Sequence, residues 1–273
     1  MERAVLVTGA SSGIGEACAV WLAALGFRVF GGVRRDEDAE RLRERGVEPI
    51  ALDVTEPDQV AAAAEAVGGE LYGLVNNAGV AIAAPLELVP LEELRRQLEV
   101  NVVGQVAVTQ ALLPALRRAR GRVVLMGSIG GRSALPFLGP YAASKFALEA
   151  IADSLRVEVR PFGMYVSIVE PGSIKTPIWT KGAARAEELR ARFSSERQEL
   201  YAAAIERFRA VAVARGLAGV GPDEVAKAVE HALTAERPKA RYLVGKDARL
   251  RRRLERLPVR LRDRLIERAL LKG

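Results

Sequence analysis

Histidine and cysteine are scarce in this chain of 273 residues, where His231 and Cys18 are the single examples of each. One cysteine cannot form a disulfide bond within the chain, and Cys18 lies in an apolar, helix-like stretch that suits packing in a core. One histidine argues against a multi-histidine metal site and against a Ser-His-Asp triad. We therefore expect no bound metal, and any catalytic proton must come from another side chain.

Long apolar runs are also missing. The longest candidate, residues 71–90, is interrupted by Asn76 and Asn77, whereas a helix that spans a bilayer needs about 20 predominantly apolar residues. A strand-like segment begins at Ala4, which leaves no room for a signal peptide before it. These absences predict a chain without a transmembrane segment and a cytoplasmic location.

Aromatic residues make up 5% of the chain, and the formal net charge of +7 is unevenly spread. From Arg241 onward there are twelve Lys or Arg residues and four Asp or Glu residues, so the rest of the chain is close to neutral. A surface that binds nucleic acid usually combines basic side chains with aromatic rings that stack on bases. Because the basic excess is confined to the end of the chain and residues 246–273 hold no aromatic residue, we expect no nucleic acid binding.

Apolar segments of strand length alternate along the chain with amphipathic segments of helix length. This alternation is typical of a parallel sheet covered by helices on both faces. The predicted strands lie near residues 4–8, 27–33, 47–52, 71–75, 122–127, 164–169 and 240–244, and the predicted helices near 13–25, 36–45, 57–67, 91–118, 141–160 and 222–235. The sequence therefore predicts one α/β domain over residues 1–273, a Rossmann-type doubly wound parallel sheet of about seven strands with helices on both faces. Its ligand crevice is expected at the carboxyl ends of the strands.

Two segments depart from this alternation. Residues 173–220 form a longer connection than the sheet requires and combine helix-forming residues with scattered apolar ones, which predicts a helical substrate lid over the crevice. Residues 246–273 form a basic amphipathic tail in which leucines are spaced among arginines. Three roles are open for this tail: a cover over the pocket, an oligomer contact, or peripheral contact with an anionic membrane. Packing on its own body or on a partner subunit is the preferred interpretation.

A glycine-rich turn, with the spacing G-x-x-x-G-x-G, follows the first predicted strand and opens the first helix. Glycines permit a tight turn and let backbone amides approach a pyrophosphate, while the helix N-terminus favours negative charge. The turn therefore predicts a dinucleotide site. Its residues are Gly9, Ser11, Ser12, Gly13, Ile14 and Gly15.

The segment Tyr141-Ala-Ala-Ser-Lys145 is the strongest catalytic signal. A spacing of four places the two polar side chains on one helix face, so an ammonium lies near a phenol. A free tyrosine has a pKa near 10, and bringing it near 7 needs about 4 kcal/mol of extra stabilisation for the phenolate. Lys145 and a positively charged oxidised nicotinamide are the expected sources of that stabilisation.

Two further polar residues accompany this pair. Ser128 ends the predicted buried strand Val123-Val124-Leu125-Met126-Gly127-Ser128, so its hydroxyl is expected at the carboxyl end of the sheet, where it can bind a substrate oxygen. Asn101 is a polar residue in an apolar, helix-like setting, and an unpaired buried amide is costly. Both residues are therefore candidates for the site.

The glycine turn and these four polar residues resemble the compact, single-domain branch of the short-chain dehydrogenase/reductase family over about residues 4–244. The sequence is most similar to the retinol and hydroxysteroid dehydrogenase-like members. The resemblance implies an NAD(P)-dependent oxidoreductase that moves a hydride between a nicotinamide and a secondary alcohol or ketone. It also implies a catalytic tetrad of Asn101, Ser128, Tyr141 and Lys145.

The resemblance assigns each member of the tetrad a role. Tyr141 is the general acid or base, and Ser128 shares the substrate oxygen. Lys145 also bridges the nicotinamide ribose hydroxyls. Asn101 holds a water that links Lys145 to solvent.

The resemblance extends to three further cofactor segments. Asp53 and Val54 would contact the adenine, although Asp53 could instead cap its strand. The Asn-Asn-Ala-Gly motif would form the wall beside the adenine, and the Pro-Gly-x-x-x-Thr segment would bind the nicotinamide carboxamide. The residues concerned in these two motifs are Asn77, Ala78, Gly79, Pro171, Gly172, Ile174 and Thr176.

The cofactor preference follows from the end of the second predicted strand. No acid stands there to bind a ribose 2′-hydroxyl. Arg34, ahead of Arg35, suits a 2′-phosphate, with a plain surface role as the alternative. The resemblance also associates NADP with a basic residue in the glycine turn, where Ser12 stands instead. We therefore predict NADP as the preferred cofactor, with NAD also possible.

Residues 130–138 include several apolar side chains and few charges, which favours a lipophilic alcohol or ketone as substrate. The same residues could simply pack a lid against the body. Relatives in this family commonly assemble through the helices that carry Asn101 and Tyr141, which implies a homodimer or homotetramer. A non-catalytic NADP-binding redox sensor is the rival function, and the complete tetrad argues against it.

Overall fold

The computed structural model describes residues 3–271, and the outer residues 1–2 and 272–273 of the predicted single domain lie outside this range. Within the described residues, seven parallel strands form one sheet in the order β3-β2-β1-β4-β5-β6-β7. The strands are β1 Ala4–Val7, β2 Arg28–Val33, β3 Glu48–Ala51, β4 Gly73–Asn76, β5 Arg122–Met126, β6 Tyr165–Pro171 and β7 Arg241–Val244. The strand order reverses between β1 and β4, so a crevice opens at their carboxyl ends. The predicted Rossmann-type sheet is confirmed.

Helices cover both faces of this sheet. Among the described residues they are α1 Gly13–Ala24, α2 Asp36–Arg43, α3 Pro57–Val67, α4 Leu91–Leu98, α5 Gly104–Arg118, α6 Gly139–Glu158, α7 Ile178–Arg190, α8 Ser195–Leu217, α9 Pro222–Thr234, α10 Lys246–Leu254 and α11 Val259–Leu270. Within residues 3–271, none of these helices combines the length and the apolar character that crossing a membrane requires.

The core lies in two layers, one on each face of the sheet. In β1, Val5 and Val7 join the layer that includes residues of α1 and α9, whereas Leu6 joins the layer that includes residues of α3, α5 and α6. Successive side chains of a strand point to opposite faces, so a strand covered on both sides must be apolar throughout. This burial explains the apolar runs that predicted the strands.

The predicted helix 91–118 is not continuous. A π-helical turn, Glu99–Val103, separates α4 from α5 and holds the buried Asn101. The next residue, Gly104, packs so closely on the segment after β3 that a Cβ there would lie 2.7 Å from the Val54 carbonyl oxygen. Apolar periodicity alone does not detect an inserted π turn, because both halves keep a helical pattern.

The segment 173–220 contains α7 and α8, and the tail contains α10 and α11. Helix α11 packs against α8, and α10 packs against β7. The backbone of Val220 also pairs with the segment after β6 through a bridge to Ile174. The tail therefore packs on the lid and on the sheet of its own chain.

Candidate active site

A groove of about 410 Å³ runs along the carboxyl ends of the strands. The structure describes all the residues predicted to bind a cofactor. They line this groove, except for Gly15, which lies behind it. A Cβ on Gly15 would collide with the Gly9 carbonyl oxygen and the Asn77 amide. The predicted residues that line the groove are Gly9, Ser11, Ser12, Gly13, Ile14, Arg34, Asp53, Val54, Asn77, Ala78, Gly79, Tyr141, Lys145, Pro171, Gly172, Ile174 and Thr176.

Backbone conformation explains two glycines of the turn. Gly9 and Gly13 have φ angles of 64° and 63°, a region that favours glycine. A Cβ on Gly9 would also lie 2.8 Å from the Ala78 Cα. Gly13 faces Thr176, whose Cβ would lie 3.2 Å from a Cβ added there. The turn thus lets the N-terminus of α1 open directly into the groove, where it favours an anion.

Asn77 and Thr8 join β1 to β4 beneath the groove. The Asn77 Nδ2 donates to the Thr8 carbonyl oxygen at 3.0 Å and to the Gly9 carbonyl oxygen at 3.1 Å. The Thr8 Oγ1 accepts from the backbone N–H groups of Asn77 and Ala78, both at 2.9 Å. These bonds hold the Asn-Ala-Gly loop against the glycine turn. Sequence reasoning missed Thr8, although its position directly before Gly9 was a usable signal.

Arg34 and Asp53 lie together at one end of the groove. The Arg34 Nη1 is 3.4 Å from the Asp53 Oδ2, and the Arg34 side chain is 65% exposed. Burial of Asp53 favours its neutral form, but hydrogen bonds from Thr55 and the charge of Arg34 outweigh this and hold the pKa of Asp53 below its usual value. Arg35 instead pairs with Asp38 at 2.9 Å. Of these two arginines, it is therefore Arg34 that lines the groove.

Two further arginines, Arg96 and Arg185, line the groove, and Arg41 lies beside the glycine turn; all three escaped the sequence analysis. The Arg41 Nη2 donates to the carbonyl oxygen of Ser11 in the glycine turn at 2.5 Å. Arg185 of α7 lines the groove and pairs with Glu93 and with Glu188. Their positions depend on contacts between distant segments, which local sequence patterns do not report.

Ser128, Tyr141 and Lys145 meet at the other end of the groove, where β5 ends and α6 begins. A hydrogen bond joins the side chains of Ser128 and Tyr141, and the Ser128 Oγ also accepts from the Gly130 N–H at 3.0 Å. The Lys145 Nζ donates to the Met126 carbonyl oxygen at 2.7 Å and lies 5.7 Å from the centre of the Tyr141 ring. These three predicted residues are therefore together in one place.

The sequence analysis expected Lys145 and a bound nicotinamide to lower the pKa of Tyr141, whereas in the protein alone this pKa is raised. In the protein alone, burial raises the pKa of Tyr141, while the hydrogen bond with Ser128 and the positive charge of Arg251 oppose the rise. Burial also lowers the pKa of Lys145 to about 8. The position of Lys145 one helical turn away does not by itself make the phenol acidic.

Asn101 lies behind the groove, and its amide is fully bonded within the protein. Its Oδ1 accepts from the Val80 N–H at 2.8 Å, and its Nδ2 donates to the Val80 carbonyl oxygen at 3.0 Å and to the Ser144 Oγ at 3.1 Å. Gln97, which sequence reasoning missed, also donates to the Val80 carbonyl oxygen, at 2.6 Å. The polar residue in an apolar stretch therefore positions the loop between β4 and α4 and contacts α6.

A second, smaller cavity of about 60 Å³ lies over Tyr141 and Ser128. Its walls come from the segment after β5, from α8 of the lid, and from both tail helices. The apolar part consists of Ile129, Leu135, Leu138, Phe208, Val211, Ala212 and Leu270, and the charged part of Arg215, Asp247 and Arg251. The predicted lid and tail thus both reach the cavity beside Tyr141.

Cys18 and His231 lie outside this site. Cys18 is buried in the core, where burial raises the pKa of its thiol to about 12. The Nδ1 of His231 lies 2.8 Å from the Tyr242 hydroxyl. Across residues 3–271, no three His, Cys, Asp or Glu side chains are grouped as a metal ion would require.

Comparisons with known proteins agree with this geometry. The family model described as short chain dehydrogenase matches residues 3–187. The NADPH-dependent 3-dehydrocapnine reductase of Ornithobacterium rhinotracheale is 37% identical, over 99% of this chain and 98% of that protein. Retinol dehydrogenase 16 of Homo sapiens is 39% identical, over 91% of this chain and 82% of that protein. A short chain dehydrogenase from Burkholderia cenocepacia J2315, solved in complex with NADP, has a TM-score of 0.74 at 26% identity, covering 100% of this chain and 98% of that one.

Proposed function

Since the chain belongs to the short-chain dehydrogenase family, we propose that it transfers a hydride between NADP(H), or NAD(H), and a lipophilic secondary alcohol or ketone. The observation that carries this proposal is the position of Ser128 and Tyr141 in the walls of both cavities. A substrate oxygen in the smaller cavity can reach both hydroxyls from there. The proposed proton donor, Tyr141, thus lies at the boundary between the proposed substrate cavity and the proposed cofactor groove.

Each residue of the cluster has a chemical role in this proposal. When bound, the nicotinamide donates or accepts the hydride. In ketone reduction the Tyr141 hydroxyl gives its proton to the oxygen of the developing alkoxide, and the Ser128 hydroxyl donates a hydrogen bond to the same oxygen. Lys145 supplies positive charge beside the phenol and can bind ribose hydroxyls. Asn101 stays the proposed holder of a water that links Lys145 to solvent, and because both of its amide hydrogens are donated within the protein, this water would bind to an oxygen of Asn101.

NADP is the proposed preferred cofactor. Arg34 lines the groove with a mostly exposed side chain, so its guanidinium can turn from Asp53 to a 2′-phosphate. The residues before it, Gly31-Gly32-Val33, contain no acid. One relative is named as NADPH-dependent, and one structural neighbour contains NADP.

A lipophilic substrate is proposed from the cavity walls. Leu135, Leu138 and Phe208 are part of the lining beside Tyr141, together with Leu270 of the tail. Burial of apolar substrate surface against such walls contributes about 25 cal/mol per Å². A relative named retinol dehydrogenase is consistent with a substrate of this kind.

The decisive experiment compares wild type with Tyr141→Phe in a panel of lipophilic ketones, following NADPH oxidation. The variant should keep NADPH binding, measured by nucleotide fluorescence, and lose turnover by at least about 100-fold, the usual contribution of a general acid. Tyr165→Phe is the matched control, because Tyr165 is 40% exposed on β6, and its turnover should match wild type. Tight NADPH binding without turnover in wild type, and no difference in the variant, would instead support the redox sensor.

A further inference from the structure

Two arginines line the small cavity beside Tyr141, although most of its other walls are apolar. Arg251 lies in α10 of the tail, and Arg215 lies in the last turn of α8 in the lid. Thirty-five residues separate them in the sequence, and the fold brings both to one cavity. The positive charge of Arg251 lowers the pKa of Tyr141, and the positive charge of Arg215 lowers the pKa of Arg251.

Neither guanidinium has a carboxylate oxygen within 4.0 Å among the described residues. The Nη2 of Arg251 donates to the Ser133 carbonyl oxygen, while its Nε is buried and has no hydrogen-bond partner in the described part of the chain. Burial, followed by the like charge of Arg215, lowers the pKa of Arg251 to about 10. The charges of Asp247 and Glu255 stabilise Arg251 without forming an ion pair, so its guanidinium has no direct counter-ion within residues 3–271. A buried charge of this kind is costly, and an anion would complete the site.

Two acidic residues near the cavity, Asp247 and Glu255, do not form ion pairs with these arginines. Asp247 lines the cavity, but its Oδ2 accepts from the Ser173 N–H at 2.7 Å, which ties α10 to the segment after β6. Glu255 directly follows the last residue of α10, and its charge acts on Arg251 without an ion pair, while burial raises the pKa of its carboxyl group. The cavity therefore keeps two cationic side chains against one committed carboxylate.

We propose that the substrate is an anionic amphiphile, a lipophilic ketone or secondary alcohol that carries an oxyanion group bound by Arg251 and Arg215. This inference rests on the proposed function and specifies its substrate class. The reacting oxygen lies at Ser128 and Tyr141, and the apolar chain lies along the lid residues Phe208 and Val211. A carboxylate can accept two parallel hydrogen bonds from a guanidinium.

The kinetic experiment compares 5-oxodecanoate with its methyl ester, which removes the charge and keeps the chain. Wild type should prefer the acid in kcat/KM by about tenfold or more. Arg251→Met should lower kcat/KM for the acid by about 10- to 100-fold, mainly through KM, and change the ester by less than about threefold. Arg215→Met should have a smaller effect in the same direction, because Arg215 is exposed.

Two variants provide the controls. Arg252→Met removes an exposed arginine from the next position of α10, and it should leave the preference for the acid unchanged. Arg251→Lys keeps the positive charge and should retain most of that preference. The melting temperature of Arg251→Met will show whether that variant folds. If it does not, Arg251→Lys replaces it in the comparison of acid and ester.

Equal losses on the acid and the ester, with a shifted pH profile for both, would mean that Arg251 acts through Tyr141, and the anion site would be wrong. A wild type that prefers the ester would overturn it as well. If wild type reduces neither compound, the panel of lipophilic ketones decides about the proposed function, and calorimetric binding of decanoate and 1-decanol decides separately about the anion site. Tighter binding of decanoate that is lost in Arg251→Met supports the site, and equal binding of the two ligands refutes it.

Discussion

The hydroxyl of Tyr141 is subject to opposing influences. Burial disfavours the phenolate and raises its pKa, whereas the hydrogen bond with Ser128 and the charge of Arg251 lower it. The Lys145 ammonium is engaged by the Met126 carbonyl oxygen and is itself disfavoured by burial. The protein without cofactor therefore keeps Tyr141 protonated at neutral pH, which is the form that ketone reduction requires.

Arg34 allows a prediction about cofactor choice. Replacement by alanine removes the proposed partner of the 2′-phosphate, so KM for NADPH should rise by about tenfold or more, while KM for NADH changes little. The loss of the exposed Arg34 and Asp53 pair has a small effect on stability. Steady-state kinetics with both cofactors measure the difference.

Arg35→Ala is the control for Arg34, because Arg35 pairs with Asp38 and does not belong to the groove lining. It should leave both KM values near those of wild type. Equal loss of NADPH and NADH affinity in Arg34→Ala would contradict the assignment of Arg34.

At the scale of elements, the joint between β5 and α6 creates the candidate site. Strand β5 ends at Met126, whose carbonyl oxygen accepts from Lys145 of α6, and Ser128 follows after Gly127. The π turn that holds Asn101 contacts the same helix through Ser144. The groups that would move a proton are thus held by three elements that side-chain hydrogen bonds join to one another.

The burial of Lys145 in this joint predicts a pH dependence of stability. Its pKa is about 8 in the folded protein, below the ordinary lysine value of 10.5, so the unfolded chain binds more protons between these two values. The free energy of unfolding of the unliganded protein should therefore rise with pH from about 8 to 10.5, by up to about 1.36 kcal/mol per pH unit from this group. Urea unfolding at pH 7.5, 8.5 and 9.5 measures the slope.

Lys145→Met should remove this contribution to the slope. Lys175→Met, which changes an exposed lysine after β6, should preserve it. The same slope in wild type and in Lys145→Met would show that Lys145 does not carry a depressed pKa.

At the scale of the whole molecule, one side of α6 leaves apolar side chains in solvent. Phe146 is 45% exposed and Val157 is 69% exposed, and they lie about three helical turns apart on one stripe. Val103 of the π turn, which contacts α6, is 50% exposed. Exposed apolar surface of this kind often marks an interface, and these are the elements through which a homodimer or homotetramer was expected.

Assembly through this surface gives a testable prediction. Sedimentation equilibrium of wild type should give two or four times the chain mass of 29.4 kDa. Phe146→Glu should shift the mass towards one chain, because a charge is costly in an apolar interface. Phe162→Glu, at a position that is also 45% exposed, should not change the assembly. A wild type with the mass of one chain would refute the prediction.

The sequence by itself determined the sheet, the glycine turn and the spacing of Tyr141 and Lys145, because these depend on local periodicity and on neighbouring residues. The residues of the glycine turn could be named for the same reason, whereas the cofactor residues at the ends of the later strands were named from the resemblance of their motifs to the family. Only the tertiary structure decided what joins distant segments: the π turn at Asn101, the partners of its amide, and the meeting of Arg215 and Arg251. Such contacts follow from packing among many elements, and the spacing of residues along the chain does not encode them locally.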